Sequence, residues 1–580
     1  MLPSKYIRVL FGVCMVCPLY MLAQGIRIPA GAYVIANQGN IVTKNNWINN
    51  GTFTHNGGTV LFAGNMQQII GTKSNSFNNL TILTGSNTTI GSFGHSLKGI
   101  LKCDGILNVN NNFTLLANAT QTALIDGSGA GDVLGNLTMQ GYLLNGFGYK
   151  YLGSPFQSAT VNEMSDEVNL TASFPSVYQH DENQASNGWI TYTTAANALV
   201  PMRGYAFQLG NNAGAKKIDM NGVVTNRNVS LILNNNNRTY TKGFNLVSNP
   251  YPSPINWDVA TGWTKTKIDN AIYYFDAGIT DQYGGIYTSY INGISSNGSA
   301  NNIIPAMQGF FVHVSDGTYP VAGTLGMTNA TRITVPPQTY RQLNGIESFR
   351  LLRLRASMGA NAESDAAVIY FQDTATEKFD TQLDALKLMN TTSFVPSLYT
   401  IAADAKKLSI NALPLPAIEM RIPVGIQTMQ DGQVSLFTTN MKALPADLFC
   451  YLYDAVTGIY QNVKENIRFQ YYLPAGTYEQ RFVLVFSRMP IVQQPLPTDP
   501  GAVSSFQVSG TGRNILLTLN IPSGERAVIR FINTAGQVLY SKTYTGSGNF
   551  PLAILLPQGI YQVVCYTANS VIARQIFIGE

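Results

Sequence analysis

The chain is written in short β-prone runs separated by Asn and Gly, and this alternation limits what it can become. Between Gly25 and Gln140 the runs include Thr59-Val60-Leu61-Phe62, Leu80-Thr81-Ile82-Leu83, Ile106-Leu107-Asn108-Val109 and Phe113-Thr114-Leu115-Leu116. β-Branched and aromatic residues suit a pleated surface, while Asn and Gly tolerate the left-handed backbone of tight turns. Many short strands without helices follow, so the expected class is all-β. Phe77-Asn78-Asn79-Leu80-Thr81-Ile82 and Val133-Leu134-Gly135-Asn136-Leu137-Thr138-Met139 echo one another, which points to the stacked coils of a β-solenoid over residues 24–147. The irregular period leaves an ordinary sandwich as the alternative.

Residues 148–337 carry an internal duplication. Gly148-Tyr149-Lys150-Tyr151-Leu152-Gly153-Ser154-Pro155 parallels Gly243-Phe244-Asn245-Leu246-Val247-Ser248-Asn249-Pro250, and Val177-Tyr178 parallels Ile272-Tyr273. Pro201-Met202-Arg203-Gly204-Tyr205 then parallels Ala306-Met307-Gln308-Gly309-Phe310. In each copy a strand runs into proline, which removes a donor and ends pairing. Two related β-units in one domain are expected.

Residues 338–488 again read as strands. Phe349 to Arg355 alternates basic and apolar residues, the pattern of a sheet with one wet face, and the spacing suggests an antiparallel β-sandwich. Residues 489–505 hold Pro490, Pro495, Pro497 and Pro500 and read as an extended linker. Residues 506–580 are compact and strand-rich, as expected of a small Ig-like sandwich.

A chain of 580 residues is too long for one core, so several domains are expected. Residues 1–23 place Lys5 and Arg8 ahead of an apolar run that ends at Ala23, the layout of a secretory signal peptide. Without it no transmembrane helix is expected, because no later apolar stretch is long enough to cross a bilayer. Charged residues make up only 12% of the chain and the formal net charge is +5, so no basic stripe for nucleic acid exists. Cys103, Cys450 and Cys565 are few and far apart, which implies three buried small side chains rather than a disulfide framework.

The reactive residue types do not assemble into a catalytic pattern, and the chain is expected not to be an enzyme. His55, His95, His180 and His313 lie in separate stretches, and no His-Glu-x-x-His, Gly-x-Ser-x-Gly or phosphate-binding loop occurs. A solenoid could hold a polysaccharide-cleaving pair of carboxyls, but Asp104, Asp126 and Asp132 are the only acidic residues between Gly25 and Gln140, and Asp126 and Asp132 sit among turn glycines. No cofactor is implied. Asp373, Asp380 and Asp384 could offer oxygen ligands to calcium, with a turn carrying ion pairs to Lys378 and Lys387 as the plainer reading. Tyr178, Trp189, Tyr205, Trp257, Trp263, Tyr273 and Tyr274 fall in the duplicated region, where exposed rings in loops, Trp189, Trp257 and Trp263 foremost, could stack on glycans and buried rings would fill a core.

The terminal block resembles the C-terminal sorting domain of type IX secretion cargo. The residues that carry the resemblance are Gly536, Gln537 and Val538, then Leu556-Pro557-Gln558 followed by Gly559, Ile560 and Tyr561, and the last apolar strand Ile576-Phe577-Ile578. The resemblance implies that this domain directs export through the periplasm and across the outer membrane. It also implies the type IX machinery as partner and attachment to surface lipopolysaccharide or release. Gly243 to Pro252, and Ala375 to Asp380 with Asp384 to Lys387, are similar to large surface proteins of the same route. The expectation is an extracellular or outer-surface β-protein in adhesion or matrix structure, meeting a glycan, a host protein or a matrix protein. A glycan-binding surface protein is the alternative, and a polysaccharide-acting enzyme on the solenoid is a third reading.

Overall fold

The structure is a computed structural model that describes residues 25–91, 93–278, 281–334, 349–456, 458–465, 468–491, 505–511, 514–521, 524–533, 538–554, 556–567 and 571–578. The expected signal peptide lies outside these residues, as does nearly all of the Pro-rich segment. The described residues fall into two compact units. One comprises those up to 334 with Asp380–Thr392, and the other Phe349–Phe379 with those from Ser393 onward.

In the first unit three parallel sheets form a β-solenoid of about five turns. Asn40–Thr43, Thr59–Phe62, Asn79–Ile82, Ile100–Cys103 and Leu124–Ile125 stack as one of these sheets. Asn40 lies beside Thr59 and Thr59 beside Asn79, so one turn takes about twenty residues. In-register neighbours form apolar ladders: Val60, Leu80 and Leu101 stack fully buried, as do Phe62, Ile82 and Cys103. Each such side chain contributes roughly 1.5–3 kcal/mol by leaving water. The two echoing phrases turn out to mark corners, not one coil repeat, because Leu80-Thr81-Ile82 and Leu137-Thr138-Met139 stand in different sheets. The period is masked by a longer last turn, in which Ile106 pairs with Asp132 and an excursion is bridged between Ala117 and Thr122.

Parallel stacking leaves an open edge at the last turn, a template for unwanted pairing. Here it is covered: Asn136–Leu143 pairs antiparallel with Lys216–Val223 along its whole length, from Asn136 opposite Val223 to Leu143 opposite Lys216. The solenoid and the duplicated region therefore share a sheet across the boundary expected at residue 147. A second seam lies beside it. The Ile125 amide donates to the Pro252 carbonyl at 2.9 Å. The Arg332 guanidinium donates to Ser253 Oγ and Asn226 Oδ1, both at 2.7 Å, and to the Ile125 carbonyl.

The duplication is real in three dimensions. One copy orders its strands Tyr149–Leu152, Tyr205–Gln208, Val177–His180, Trp189–Thr191, and the other Phe244–Ser248, Gly309–His313, Ile272–Ala277, Gly285–Ile291, with Ile294–Ser295 added. The copies meet reciprocally. Leu152 bridges Gln308 while its counterpart Val247 bridges Arg203, and the Gly153 amide donates to the Met307 carbonyl at 2.9 Å while that of Ser248 donates to Met202 at 2.8 Å. Such swapped contacts are the mark of a two-fold-related interface. Both methionines adopt left-handed backbone, φ 67° at Met202 and 64° at Met307.

The glycine after each pair is required by closeness rather than by φ. A Cβ on Gly309 would sit 2.8 Å from the Tyr151 carbonyl carbon, and one on Gly204 would sit 2.6 Å from Leu246 Cγ.

In the second unit, the two layers of the expected sandwich are halves of one continuous sheet. A path of strands runs from Ile459–Asn462 to Phe469–Leu473, and Gln461 Nε2 donates to the Tyr471 hydroxyl at 3.2 Å between its two ends. The ladders are antiparallel except where Asp365–Phe371 runs parallel to Lys407–Leu413. Leu352, Leu354, Ile422, Val424 and Phe482 share the core. The expectation of one wet face fails at Arg353, which is only 3% exposed in a strand whose Leu351, Leu352 and Leu354 are also buried. Asp454 is fully buried and takes a two-pronged pair from Arg481 at 3.0 and 3.1 Å, the arrangement that lets a carboxylate leave water.

The terminal block is a separate two-layer sandwich. Ser505–Thr511, Asn514–Asn520 and Gly548–Ala553 form one sheet, and Val538–Thr545, Arg526–Asn533, Gly559–Tyr566 and Val571–Ile578 the other. Phe506, Leu517, Ile529, Phe531 and Val563 fill the space between them. Cys103, Cys450 and Cys565 are free and buried, as expected.

The reciprocal seam makes a direct prediction. Gly309→Ala and Gly204→Ala are expected to lower unfolding stability by about 2 kcal/mol each through overpacking. Gly94→Ala, whose added methyl meets no heavy atom within 4 Å, should change it by less than about 0.5 kcal/mol. Denaturant melts of the three variants check this.

Candidate functional site

The three tryptophans have different fates. Trp257 is fully buried, its Nε1 donates to the Asn270 carbonyl at 2.8 Å, and the Lys265 ammonium stands 3.6 Å from its ring centre. No face is left for a sugar, which corrects the glycan reading at this residue: the ring fills the core of the second copy. Trp263 packs edge-on against Trp257 at 4.7 Å and donates Nε1 to the Asn256 carbonyl at 2.8 Å, so it serves the same cluster. Burial lowers the Lys265 pKa to about 8, opposed by Asp258. Trp189 is half-buried between the copies, against Tyr151 at 5.5 Å, His180 at 5.1 Å and Tyr178 at 6.5 Å.

From Trp189 the rings continue outward through Tyr178 to Tyr149, Phe174 and Tyr283, three rings that the sequence reading did not single out. Tyr178 meets Tyr149 at 6.1 Å, and Phe174 meets Tyr283 edge-on at 5.1 Å with both rings 53% exposed. Gln282 and Tyr283 are tethered: Gln208 Nε2 donates to the Gln282 carbonyl at 2.8 Å, and the Tyr283 amide donates to Asp281 Oδ1 at 3.0 Å. Burial, then the neighbouring Tyr178 and Tyr283, keep the Tyr149 phenol protonated far above its ordinary range.

The acidic residues are engaged locally. Asp132 pairs with Arg227 at 2.6 Å, Asp104 with Lys102 at 3.6 Å, and Asp126 Oδ1 accepts the Ser128 amide at 2.7 Å. Asp384 is buried and accepts the Asp380 amide at 2.7 Å, while Asp380 Oδ1 accepts the Gln382 amide at 2.7 Å. These two close a turn, as the plainer reading expects, whereas Asp373 is exposed and Lys387 is buried. Among the described residues no group of three or more His, Cys, Asp or Glu side chains could hold a metal ion.

Among the carboxyl groups of the described residues, Glu167 is perturbed most. Burial, then its hydrogen bond to Asp166, raises its pKa to about 8. Such a carboxyl often marks chemistry, but this one is a clip. Glu167 Oε1 accepts the Asp219 amide at 3.4 Å, and Lys216 Nζ donates to the Glu167 carbonyl at 2.8 Å, fastening the strand that closes the solenoid.

Three of the four histidines are fixed by hydrogen bonds. His95 Nδ1 accepts the Asn75 amide at 2.9 Å and His55 Nδ1 accepts that of Asn78 at 2.9 Å, both inside the solenoid wall. His313 Nδ1 lies 2.6 Å from buried Asp269, and its Nε2 faces the Lys242 carbonyl at 3.0 Å. Ser315 Oγ binds Asp269 rather than the ring, so no nucleophile stands next to the base.

The sorting-motif residues divide between interior and surface. Gly536 and Gln537 lie outside the described residues. Val538 is 38% exposed and Ile560 45%, whereas Tyr561 is 3% exposed and its hydroxyl donates to the Pro557 carbonyl at 2.6 Å. Gly559 opens the strand opposite Ile578, placing Ile560 beside Phe577, which is 60% exposed. The spacing Pro557 to Tyr561 thus ties a corner with one buried phenol.

This architecture defines an all-β class: a solenoid closed by a duplicated β-domain, a continuous curled sheet and a terminal sandwich. The chain belongs to the family described as a domain of unknown function (DUF8693), matched over residues 36–486. No curated protein matches. Among solved structures, the β-glucuronidase of Ruminococcus gnavus in complex with D-glucuronic acid aligns at 11% identity and TM-score 0.11, over 58% of this chain and 36% of that one. The same enzyme in complex with D-glucaro-d-lactam aligns at 10% and 0.11, over 76% and 45%. The chain thus spans less than half of these structures, and a likeness this slight carries no argument.

His95 supplies a pH test. Burial lowers its pKa from 6.5 to about 4. The folded state therefore refuses a proton that the unfolded state accepts, so stability is full above pH 6.5 and falls as pH drops towards 4. The loss is on the order of 3 kcal/mol. In His95→Asn, which keeps an acceptor for Asn75, the stability difference between pH 7 and pH 4.5 should shrink by on the order of 2 kcal/mol, as read from chemical denaturation at the two pH values.

Proposed function

We propose that this is an exported surface or extracellular β-protein acting in adhesion or matrix structure, with residues 506–580 as its export module. The observation that carries the reading is how that block divides its motif residues between core and surface. It has its own core, lies outside the family match, and keeps Tyr561, Ile576 and Ile578 inside while turning Ile560 and Phe577 outward. Buried motif residues maintain the fold, and the outward pair is available to a recognition machinery such as that of type IX secretion. The rest of the chain supports a scaffold: apolar ladders, aspartates tied into turns and ion pairs, and His55 and His95 bound to backbone amides. Among the described residues no helix is long and apolar enough to cross a membrane.

Glycan binding is the second reading, and the half-exposed ring patch of the duplicated domain favours it. Sugars present apolar C–H faces with polar edges, and tyrosine presents the complementary surface.

The export reading is tested by deleting Phe506–Glu580. The truncated chain should accumulate in the periplasm, as seen by cell fractionation and surface labelling. Undiminished surface appearance would contradict it.

A further inference from the structure

The duplication supplies an internal comparison that isolates one position on the surface. Tyr149 and Tyr178 of the first copy correspond to Phe244 and Tyr273 of the second. Both pairs keep an edge-on contact, at 6.1 Å and 5.2 Å. In the second copy the pair is core, with Phe244 6% and Tyr273 1% exposed. In the first copy both rings are half-buried, and Tyr149 carries a hydroxyl where the second copy has none. One fold thus keeps the same ring pair twice, once as packing and once partly open to water.

Beside the open pair stand Phe174 and Tyr283, each 53% exposed and in contact with one another, supplied by loops of different copies. Two half-exposed rings in contact offer a surface of adjoining aromatic faces. The site is also built in advance. Tyr149 lies opposite Gln208, whose side chain holds the Tyr283 loop. Gly148 allows that approach, since a Cβ there would sit 3.0 Å from the Gln282 carbonyl oxygen. Residues tethered before binding lose little entropy on binding.

We infer that Tyr149, Tyr178, Phe174 and Tyr283 form a carbohydrate-binding surface for neutral glycans, with the rings stacking on sugar faces. The inference rests on the glycan reading above and names its site and ligand class. Neutrality follows from the setting. Among the described residues the rings bring phenols, Gln208 brings a side-chain amide, and Asp281 beside the Tyr283 amide brings a carboxylate that would repel a uronate. Aromatic faces bordered by phenol edges offer apolar contact to the C–H faces of a sugar and polar partners to its hydroxyls. Trp189 supports Tyr178 from beneath at 6.5 Å, so it positions the surface while Trp257 and Trp263 take no part.

The test uses the purified full chain with soluble oligosaccharides of β-linked glucose, of mannose and of N-acetylglucosamine, and oligogalacturonate as the anionic comparison, in calorimetric titration. At least one neutral probe should bind, oligogalacturonate should not, and Phe174→Ala and Tyr283→Ala should each weaken the neutral probe about tenfold with Tm unchanged. Absence of binding by every neutral probe, equal affinity in both variants, or preference for oligogalacturonate would overturn the inference. Because the measurement is made in solution, it does not depend on where the protein is displayed. Failure of the export reading would appear only in the truncation experiment.

Discussion

Unpaired backbone at strand edges is the constraint on which the first unit depends. A parallel solenoid satisfies its amides and carbonyls turn by turn and so always ends on a row that is not satisfied. The antiparallel strand Lys216–Val223 satisfies that row against Asn136–Leu143, and it comes from within the duplicated region. The clip of Glu167 and Lys216, and the Arg332 guanidinium over Ile125 and Ser253, fasten the same junction from two sides. Charged side chains are scarce in this chain, and several of them are placed here, where backbone geometry needs anchoring.

The duplicated domain depends on a different closeness. Gly204 and Gly309 let the backbone of each copy approach a strand of the other, and the left-handed Met202 and Met307 before them aim the carbonyls that complete the seam. Once the seam is symmetric, the side chains around it are free to differ. His180 occupies the place of Phe275, Arg203 that of Gln308, and Tyr149 that of Phe244. The second copy uses its rings to fill a core, while the first turns equivalent rings towards solvent. Function, on this account, lies where the two copies stopped matching.

Much of this was legible in the sequence, and the limits were physical. The all-β class followed from run length and turn residues, and the duplication from paired phrases whose backbone roles are conserved by geometry. The solenoid was visible, but its period was not, because corners formed by Asn78 and Gly135 look alike although they join different sheets. Sequence alternation at Arg353 gave a wet face that the structure does not have, since alternation reports which side a residue points to and not what covers that side. Trp257 stood out because tryptophan is rare, and rarity drew attention to a buried ring. Phe174 and Tyr283, separated by more than a hundred residues, carry no sequence signal for their contact. Tyr561 was legible as a motif residue, and its buried phenol on Pro557 supplies the reason for the spacing.

The central claim is that the strand Lys216–Val223 holds the solenoid closed, and amide hydrogen exchange tests it most directly. Met220→Pro removes the amide opposite Met139 and should break this pairing. The account predicts that exchange then accelerates through Asn136–Leu143 and onward into His95–Leu97 and Phe113–Leu115, which belong to the same sheet. Unchanged protection of those strands in the folded variant would contradict it.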